Sequence, residues 1–422
     1  MNEHLKLFVV ADDLTGANDT SVSFAEVGYR TLLTMDLGAV NPGMLPEVMA
    51  VTTDSRPSGA IAQGMTARAV DSAVSLGMEW LYLKVDSTMR GSVQHQVAGA
   101  LRAWQQVHND AKAVICPAYP AMGRMVSEGI LRVDGVEVDQ TASGRDAVCP
   151  VLTSRMAELL PESVVLPNPG DAEQLAAFIA QAGAAQVVVD ATTQSELTVI
   201  AEAIHRLGPS AVPVGSAGLS QELARFLPVP KGEARNDPLP IRRRSLVVVS
   251  SIHETSQRQV DAYIGSEAGS RAIVFSPHPA QLLVSSAFPA LRDQLRSLAA
   301  SGDGNVIIRA NPAKVSGTTD REQLARRFAG QLSGLASDCL SQERFDALVL
   351  VGGDGAAATL SAIGAEDLSI IKAVAEGVPV GTVQGGDFAG TVVVTKSGGF
   401  GKENLLLEIM ARLEEDRYEE EN

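Results

Sequence analysis

Short, unbroken apolar runs alternate with stretches of helical period along most of this chain. In the first half the runs are KLFVVA, YRTLLTM, VMAVTT, EWLYLKV, KAVICP, AQVVVDA and AVPVG. Each is too short for a helix and rich in Val, Ile or Leu, which predicts strands buried on both faces. Between them, SGAIAQGMTARAVDSAVSLG, GSVQHQVAGALRAWQQV and SELTVIAEAIHRLG carry the spacing of amphipathic helices. Strands that alternate with helices predict a mainly parallel sheet covered on both faces. GILRVDGVEVDQ departs from this: Asp134-Gly135 between alternating residues predicts a β-hairpin that leaves the sheet.

The alternation stops at FLPVPKGEARNDPLPIRRR, Phe226 to Arg244, which is rich in Pro and charge and has neither period. Such composition predicts a linker. Beyond it the pattern restarts with SLVVVSS, a helix from about Thr255, then RAIVFSP, NVIIRA, FDALVLVGGDG and TVVVTKS. The expected organisation is therefore two α/β domains, residues 1–228 and 245–422, joined by a linker over 229–244, with a ligand site in the cleft between them.

Size agrees, because 422 residues and 44.2 kDa exceed one ordinary core. The formal charge of −16 argues against a nucleic-acid partner. Part of that charge lies in the tail RLEEDRYEEEN, read as a solvated helix end. No window holds the roughly 18 consecutive apolar residues of a membrane span. The start MNEHLKLF lacks the basic and apolar regions of a signal peptide. A cytoplasmic protein is expected. Cys116, Cys149 and Cys339 have no metal-ligand spacing and read as small hydrophobes. The His residues are scattered too, and His253 suits a helix cap.

In parallel α/β sheets ligands bind beyond the carboxyl ends of the strands, so the residues placed there carry the chemistry. The first-half strands end in Asp12-Asp13, in Asp54-Ser55-Arg56, in Lys84-Val85-Asp86-Ser87-Thr88-Met89-Arg90-Gly91, and in Pro117-Ala118-Tyr119-Pro120 followed by Gly123-Arg124. Arg grips a carboxylate through a two-pronged fork and Asp accepts from sugar hydroxyls, so this mixture suits a small polyhydroxylated anion. Taken singly, each residue serves equally as a salt bridge or a helix cap.

The second half places glycine where the first places charge. Val351-Gly352-Gly353-Asp354-Gly355 follows one strand, and Lys396-Ser397-Gly398-Gly399-Phe400-Gly401 follows another. Ser250-Ser251-Ile252-His253 takes a third equivalent place. Glycines at a strand-to-helix turn bring backbone N–H groups to a phosphate at the helix N-terminus. These turns in one domain predict a nucleotide site. There is no GxxxxGK[ST] loop and no GxGxxG opening a βαβ unit. Gly215-Ser216-Ala217-Gly218 reads equally as an anion loop or an ordinary turn.

ADDLTGANDT, DSR at Asp54 to Arg56, KVDSTMRG at Lys84 to Gly91, PAYPAMGR at Pro117 to Arg124, GGDGAAA and KSGGFG together resemble the four-carbon acid sugar kinase family. The resemblance covers nearly the whole chain in order. It implies an N-terminal sugar-acid domain and a C-terminal nucleotide domain. The implied reaction is phosphorylation by ATP, with Mg2+, of the terminal hydroxyl of D-threonate, D-erythronate or 3-oxo-tetronate. By motif, Asp12, Arg56, Lys84, Asp86, Ser87 and Arg90 would hold the substrate. Ser251, Gly352, Gly353, Asp354, Gly355, Lys396, Gly398 and Gly399 would line the ATP site. One departure is Gly355, where the family pattern has Thr or Ala, which keeps a backbone role and removes a hydroxyl.

Phosphoryl transfer asks for positioning and charge neutralisation. Asp12 or Asp13 is expected to orient or deprotonate the attacking hydroxyl. D-threonate is the expected acid, and a homo-oligomer is compatible with the sequence. Two other readings stay open: another small-molecule kinase with a GGDG loop, and a non-catalytic sensor of sugar acid and nucleotide.

Overall fold

The computed structural model describes residues 5–38, 40–146, 148–228, 244–312 and 321–415. The linker expected over 229–244 lies outside the described residues except for Arg244, as does the end of the acidic tail. The chain divides into two compact units, Met1–Ala234 and Arg235–Asn422.

The first unit is built on β1 (Leu7–Ala11), β2 (Thr31–Thr34), β3 (Val48–Thr52), β4 (Trp80–Lys84) and β5 (Lys112–Cys116). It continues with β6 (Arg124–Ser127), β7 (Ile130–Val133), β8 (Val136–Glu137), β9 (Ser163–Leu166), β10 (Gln186–Val189) and β11 (Ala211–Gly215). The main sheet is parallel, in the order β2-β3-β1-β4-β11-β5-β10-β9. Every residue of β1 is buried, as an unbroken LFVVA run requires when helices cover both sides. Helices Ile61–Ser75 and Val93–Trp104 pack together as one group, and Leu14–Ala25, Ala217–Ala224, Gln194–Leu207 and Ala172–Gln181 as another. The expected hairpin is present. β7 and β8 pair antiparallel across Asp134 and Gly135, whose φ angles of 50° and 80° are those of a two-residue turn with the twist of a hairpin.

The second unit comprises β12 (Ser245–Val249), β13 (Ile273–Phe275), β14 (Val306–Arg309), β15 (Ala347–Val351), β16 (Asp367–Ala375), β17 (Val378–Gln384) and β18 (Val392–Lys396). Its order is β13-β14-β12-β15-β18-β17-β16, parallel as far as β18 and antiparallel beyond. The antiparallel pair is an addition to the sequence reading. β16 is only partly buried, and it shifts register between Ile370 and Lys372 and again between Ala373 and Ala375, so neither period survives in it. Val247, Val349, Val380, Val394, Ile409 and Tyr263 are core residues of this unit.

Candidate active site

In both units strand order reverses beside the first strand. The chain leaves β1 for the outer strand β2, comes back to place β3 between them, then lays β4 on the other side of β1. It repeats this with β12, flanked by β14 and β15. A reversal parts the loops leaving two neighbouring strands and opens a crevice at their carboxyl ends. The ends are level, with Ala11 opposite Thr52 and Lys84 in one unit and Val249 opposite Val351 in the other.

In the first unit this rim is built from interlocked ion pairs. Arg56 donates through Nε to Asp12 at 2.7 Å and through Nη2 at 2.9 Å, while its Nη1 stands 2.9 Å from Asp13 Oδ2. Asp13 also caps helix Leu14–Ala25, accepting from the Gly16 N–H at 2.7 Å. The strand alternation that would turn Asp12 and Asp13 to opposite sides does not continue past Ala11. Both carboxylates reach one guanidinium instead. Likewise β4 ends at Lys84, so alternation does not govern Asp86. A second set joins Arg90 to Asp86 through Nε at 2.9 Å and Nη2 at 2.8 Å, and to Asp146 through Nη1 at 3.2 Å. The Thr88 hydroxyl also donates to Asp86. Ser87 stands beside these pairs, half-buried.

Backbone geometry holds the motifs against one another. Asp54 and Met89 adopt φ of 47° and 61°, uncommon for residues with a Cβ and frequent at functional sites. A Cβ on Gly91 would stand 2.5 Å from the Arg56 carbonyl oxygen, so only glycine lets KVDSTMRG lie on DSR. The Ser92 hydroxyl donates to that same oxygen at 2.9 Å. Lys84 is buried, its Nζ donating to the Val85 carbonyl at 3.1 Å. A Cβ on Gly16 would come within 2.8 Å of that Nζ.

The two inner carboxylates diverge electrostatically. Burial raises the Asp12 pKa above the ordinary carboxylate value, against the attraction of Arg56 and with the repulsion of Asp13. Burial also pushes Asp86 upward, but Arg90 and Arg56 overcome it and hold Asp86 well below the ordinary value. Two acids driven apart on one rim have the character of a proton acceptor and a permanently ionised anchor.

The rim of the second unit is made of backbone. Gly352 has φ of 112°, and a Cβ there would stand 2.5 Å from Ser250 Oγ. On Gly355 a Cβ would come within 2.1 Å of the same atom, and on Gly398 within 2.2 Å of Ser251 Oγ. The two glycine loops therefore close on the two serines of the third. Helix Gly353–Ala362 starts without a side-chain cap, so its first N–H groups remain for an anion. His253 caps helix Glu254–Ile264 by accepting from the Thr255 N–H at 3.2 Å, and Gly399 lies against its ring. Lys396 ends β18 with 1% exposure, and its Nζ donates to the Ser397 carbonyl at 2.7 Å. Burial lowers its pKa to about 8.

The Gly215–Gly218 loop is an ordinary capped turn. Ser216 Oγ accepts from the Gly218 N–H at 3.2 Å and donates to the Ala118 carbonyl at 3.0 Å, and the Tyr119 ring fills the space over Gly218. Two groups were missed in the sequence. Arg309 ends β14 and donates to Gln257, whose amide in turn donates to the Ser251 carbonyl at 2.8 Å. The strand-end rule applied to NVIIRA would have found Arg309. Asp146 follows no strand of the main sheet, and nothing in its neighbourhood signals it.

Among the described residues no cluster of three or more His, Cys, Asp or Glu could hold a metal. Asp354, exposed in the first turn of helix Gly353–Ala362, is a single carboxylate at the anion site. That suits a Mg2+ carried chiefly by nucleotide phosphates, which needs only one or two protein carboxylates. No helix among the described residues is long and apolar enough to cross a membrane.

Two domain models match the chain: a sugar-binding N-terminal domain over residues 7–223 and a nucleotide-binding C-terminal domain over residues 246–406. A D-threonate kinase of Bordetella bronchiseptica is 36% identical over 418 residues, covering 97% of this chain and 98% of that protein. A D-threonate kinase of Salmonella typhimurium is 31% identical over 437 residues, covering 97% and 99%. A crystal structure from Bordetella bronchiseptica, described as a domain of unknown function with bound citrate and as a domain-swapped dimer, is 34% identical. It covers 98% of this chain and 100% of that one, with a TM-score of 0.50.

Proposed function

The chain belongs to the four-carbon acid sugar kinase family, and from that premise we propose that it transfers the γ-phosphoryl group of ATP to the 4-hydroxyl of D-threonate. The observation that carries this reading is the contrast between two strand-order reversals, one lined by paired charges and one by bare backbone N–H groups. The names of the two relatives support D-threonate as the acid. Citrate, bound in the Bordetella bronchiseptica crystal structure, is itself a hydroxy acid.

Asp12 accepts the proton of the 4-hydroxyl as its oxygen bonds to the γ-phosphorus and the bond to the β-phosphate oxygen breaks, releasing ADP. Its proton affinity, raised by burial, suits that role, while Arg56 fixes the position of the carboxylate. Asp13 caps its helix and shares Arg56, which makes it a positioning residue. Lys84, Asp86, Ser87 and Arg90 hold the hydroxyls and carboxylate of the acid. The N–H groups of Gly353, Asp354 and Gly355, with Ser251, Gly398, Gly399 and Lys396, hold the nucleotide phosphates, and Gly352, whose own N–H donates to the Lys396 carbonyl at 2.8 Å, makes the turn that presents them. Asp354 would help the nucleotide hold Mg2+, which when bound would neutralise phosphate charge. ATP as donor suits a cytoplasmic setting, and the swapped dimer of a relative supports a homo-oligomer.

ADP release measured with ATP and each of D-threonate, D-erythronate, 3-oxo-tetronate, fructose 6-phosphate and NAD tests this. The reading expects turnover with the four-carbon acids and the highest kcat/KM for D-threonate. Turnover with fructose 6-phosphate or NAD alone would move the protein to another kinase class. Binding of acid and ATP without ADP release would make it a sensor.

A further inference from the structure

Arg90 presents two edges, and they are engaged differently. Its Nε and Nη2 edge is bonded to both oxygens of Asp86, which is buried and held ionised. A two-pronged pair of this kind fixes the guanidinium plane. The Nη1 edge meets Asp146 at 3.2 Å, and these two side chains are 31% and 27% exposed. A half-exposed pair of that length is worth little and opens readily.

Asp146 is held in place without Arg90. Its Oδ1 accepts from the N–H groups of Val148 and Cys149 at 3.0 Å and 2.9 Å, leaving Oδ2 for Nη1. It belongs to the excursion that carries the β6-β7-β8 hairpins and is 56 residues from Arg90 in sequence. The charges gathered around Arg56 and Arg90 are Asp12, Asp13, Asp86 and Asp146 against Arg56, Lys84 and Arg90. That leaves an excess negative charge facing a substrate that is itself an anion, which disfavours its entry.

We propose that Asp146 sets the affinity for the sugar acid by occupying the edge of Arg90 that the substrate carboxylate takes. This rests on the reading above, in which Arg90 binds the acid. The incoming carboxylate displaces Asp146 Oδ2 from Nη1, while Oδ1 keeps the loop anchored. After transfer the side chain returns to Arg90 and opposes rebinding of the phosphorylated product, which carries more negative charge than the substrate.

The test is calorimetric titration of D-threonate into the full-length wild type and into Asp146→Asn, with an ATP analogue titrated into each as a control. Asn keeps the Oδ1 acceptor for Val148 and Cys149 and removes the competing charge. The expected result is about three- to fivefold tighter D-threonate binding by D146N, on the scale of an exposed ion pair, with a matching fall in KM for the acid and unchanged nucleotide affinity. If D146N lost nucleotide binding through misfolding, Asp146→Ser, which also leaves an acceptor, carries the same expectation. Unchanged or weaker acid binding by a folded variant overturns the inference, since a residue that positioned Arg90 would weaken binding when neutralised. Failure of the wild type to bind any four-carbon sugar acid overturns the substrate reading itself.

Discussion

The two reversals of strand order solve the same problem with opposite materials. At the ends of β1, β3 and β4 the chain places Asp12, Arg56, Lys84, Asp86 and Arg90, whose charges are largely matched against each other. Beyond β12, β15 and β18 it places glycines and serines packed too closely to admit a Cβ, with the buried cation Lys396 beside them. Side chains can discriminate among hydroxyl patterns because each donor or acceptor has its own position. Backbone N–H groups at a helix start recognise phosphate as such, without regard to what carries it. The comparison therefore teaches that specificity resides in the first unit and a general phosphate grip in the second.

The largest expected effect comes from Asp12→Asn, which keeps the shape and removes the proton acceptor. It should lower kcat by about a thousandfold while leaving KM for ATP unchanged, as steady-state assays over both substrates will read. Gly352→Ala follows. It forces a Cβ into φ of 112° and against Ser250, at a cost of about 2 kcal/mol, so KM for ATP should rise about thirtyfold with D-threonate binding retained.

Lys396→Met is expected to weaken ATP binding about tenfold, the loss of a charged hydrogen-bonding partner. The wild-type affinity should also fall as pH rises, because the ammonium is lost through its pKa of about 8. The cationic form is the one that attracts phosphate, so binding is strong below that value and weak above it. Titrations from pH 7 to 9 should show the decline in wild type and a flat profile in K396M. The smallest effect is at the decoy loop. Ser216→Ala removes a helix cap, costing about 1 kcal/mol of stability, seen as a lower Tm with both KM values unchanged.

How legible these features were depended on whether one physical signal dominated locally. β1, β12 and β15 were readable because strands buried on both faces must be apolar at every position. β16 was not, because half-burial mixes polar residues into DLSIIKAVA and the register shifts break the alternation, and in β17 Pro379 and Gly381 interrupt the apolar run. The candidate site was legible wherever it lies at the end of a parallel strand in either unit, which covers Asp12, Arg56, Lys84, Asp86, Gly352 and Lys396. The mutual geometry was not. That Asp12 and Asp13 share Arg56 depends on where β1 stops and on Asp13 capping the next helix. Asp146 reaches Arg90 through a hairpin excursion whose sequence shows the turn but not its destination.

The division of labour is tested most directly by titrating D-threonate and a non-hydrolysable ATP analogue separately into Asp86→Asn and Gly352→Ala. The account predicts a crossed pattern: D86N loses affinity for the acid and keeps the nucleotide, while G352A loses the nucleotide and keeps the acid. Loss of the same ligand by both folded variants, or of neither ligand by either, would contradict it.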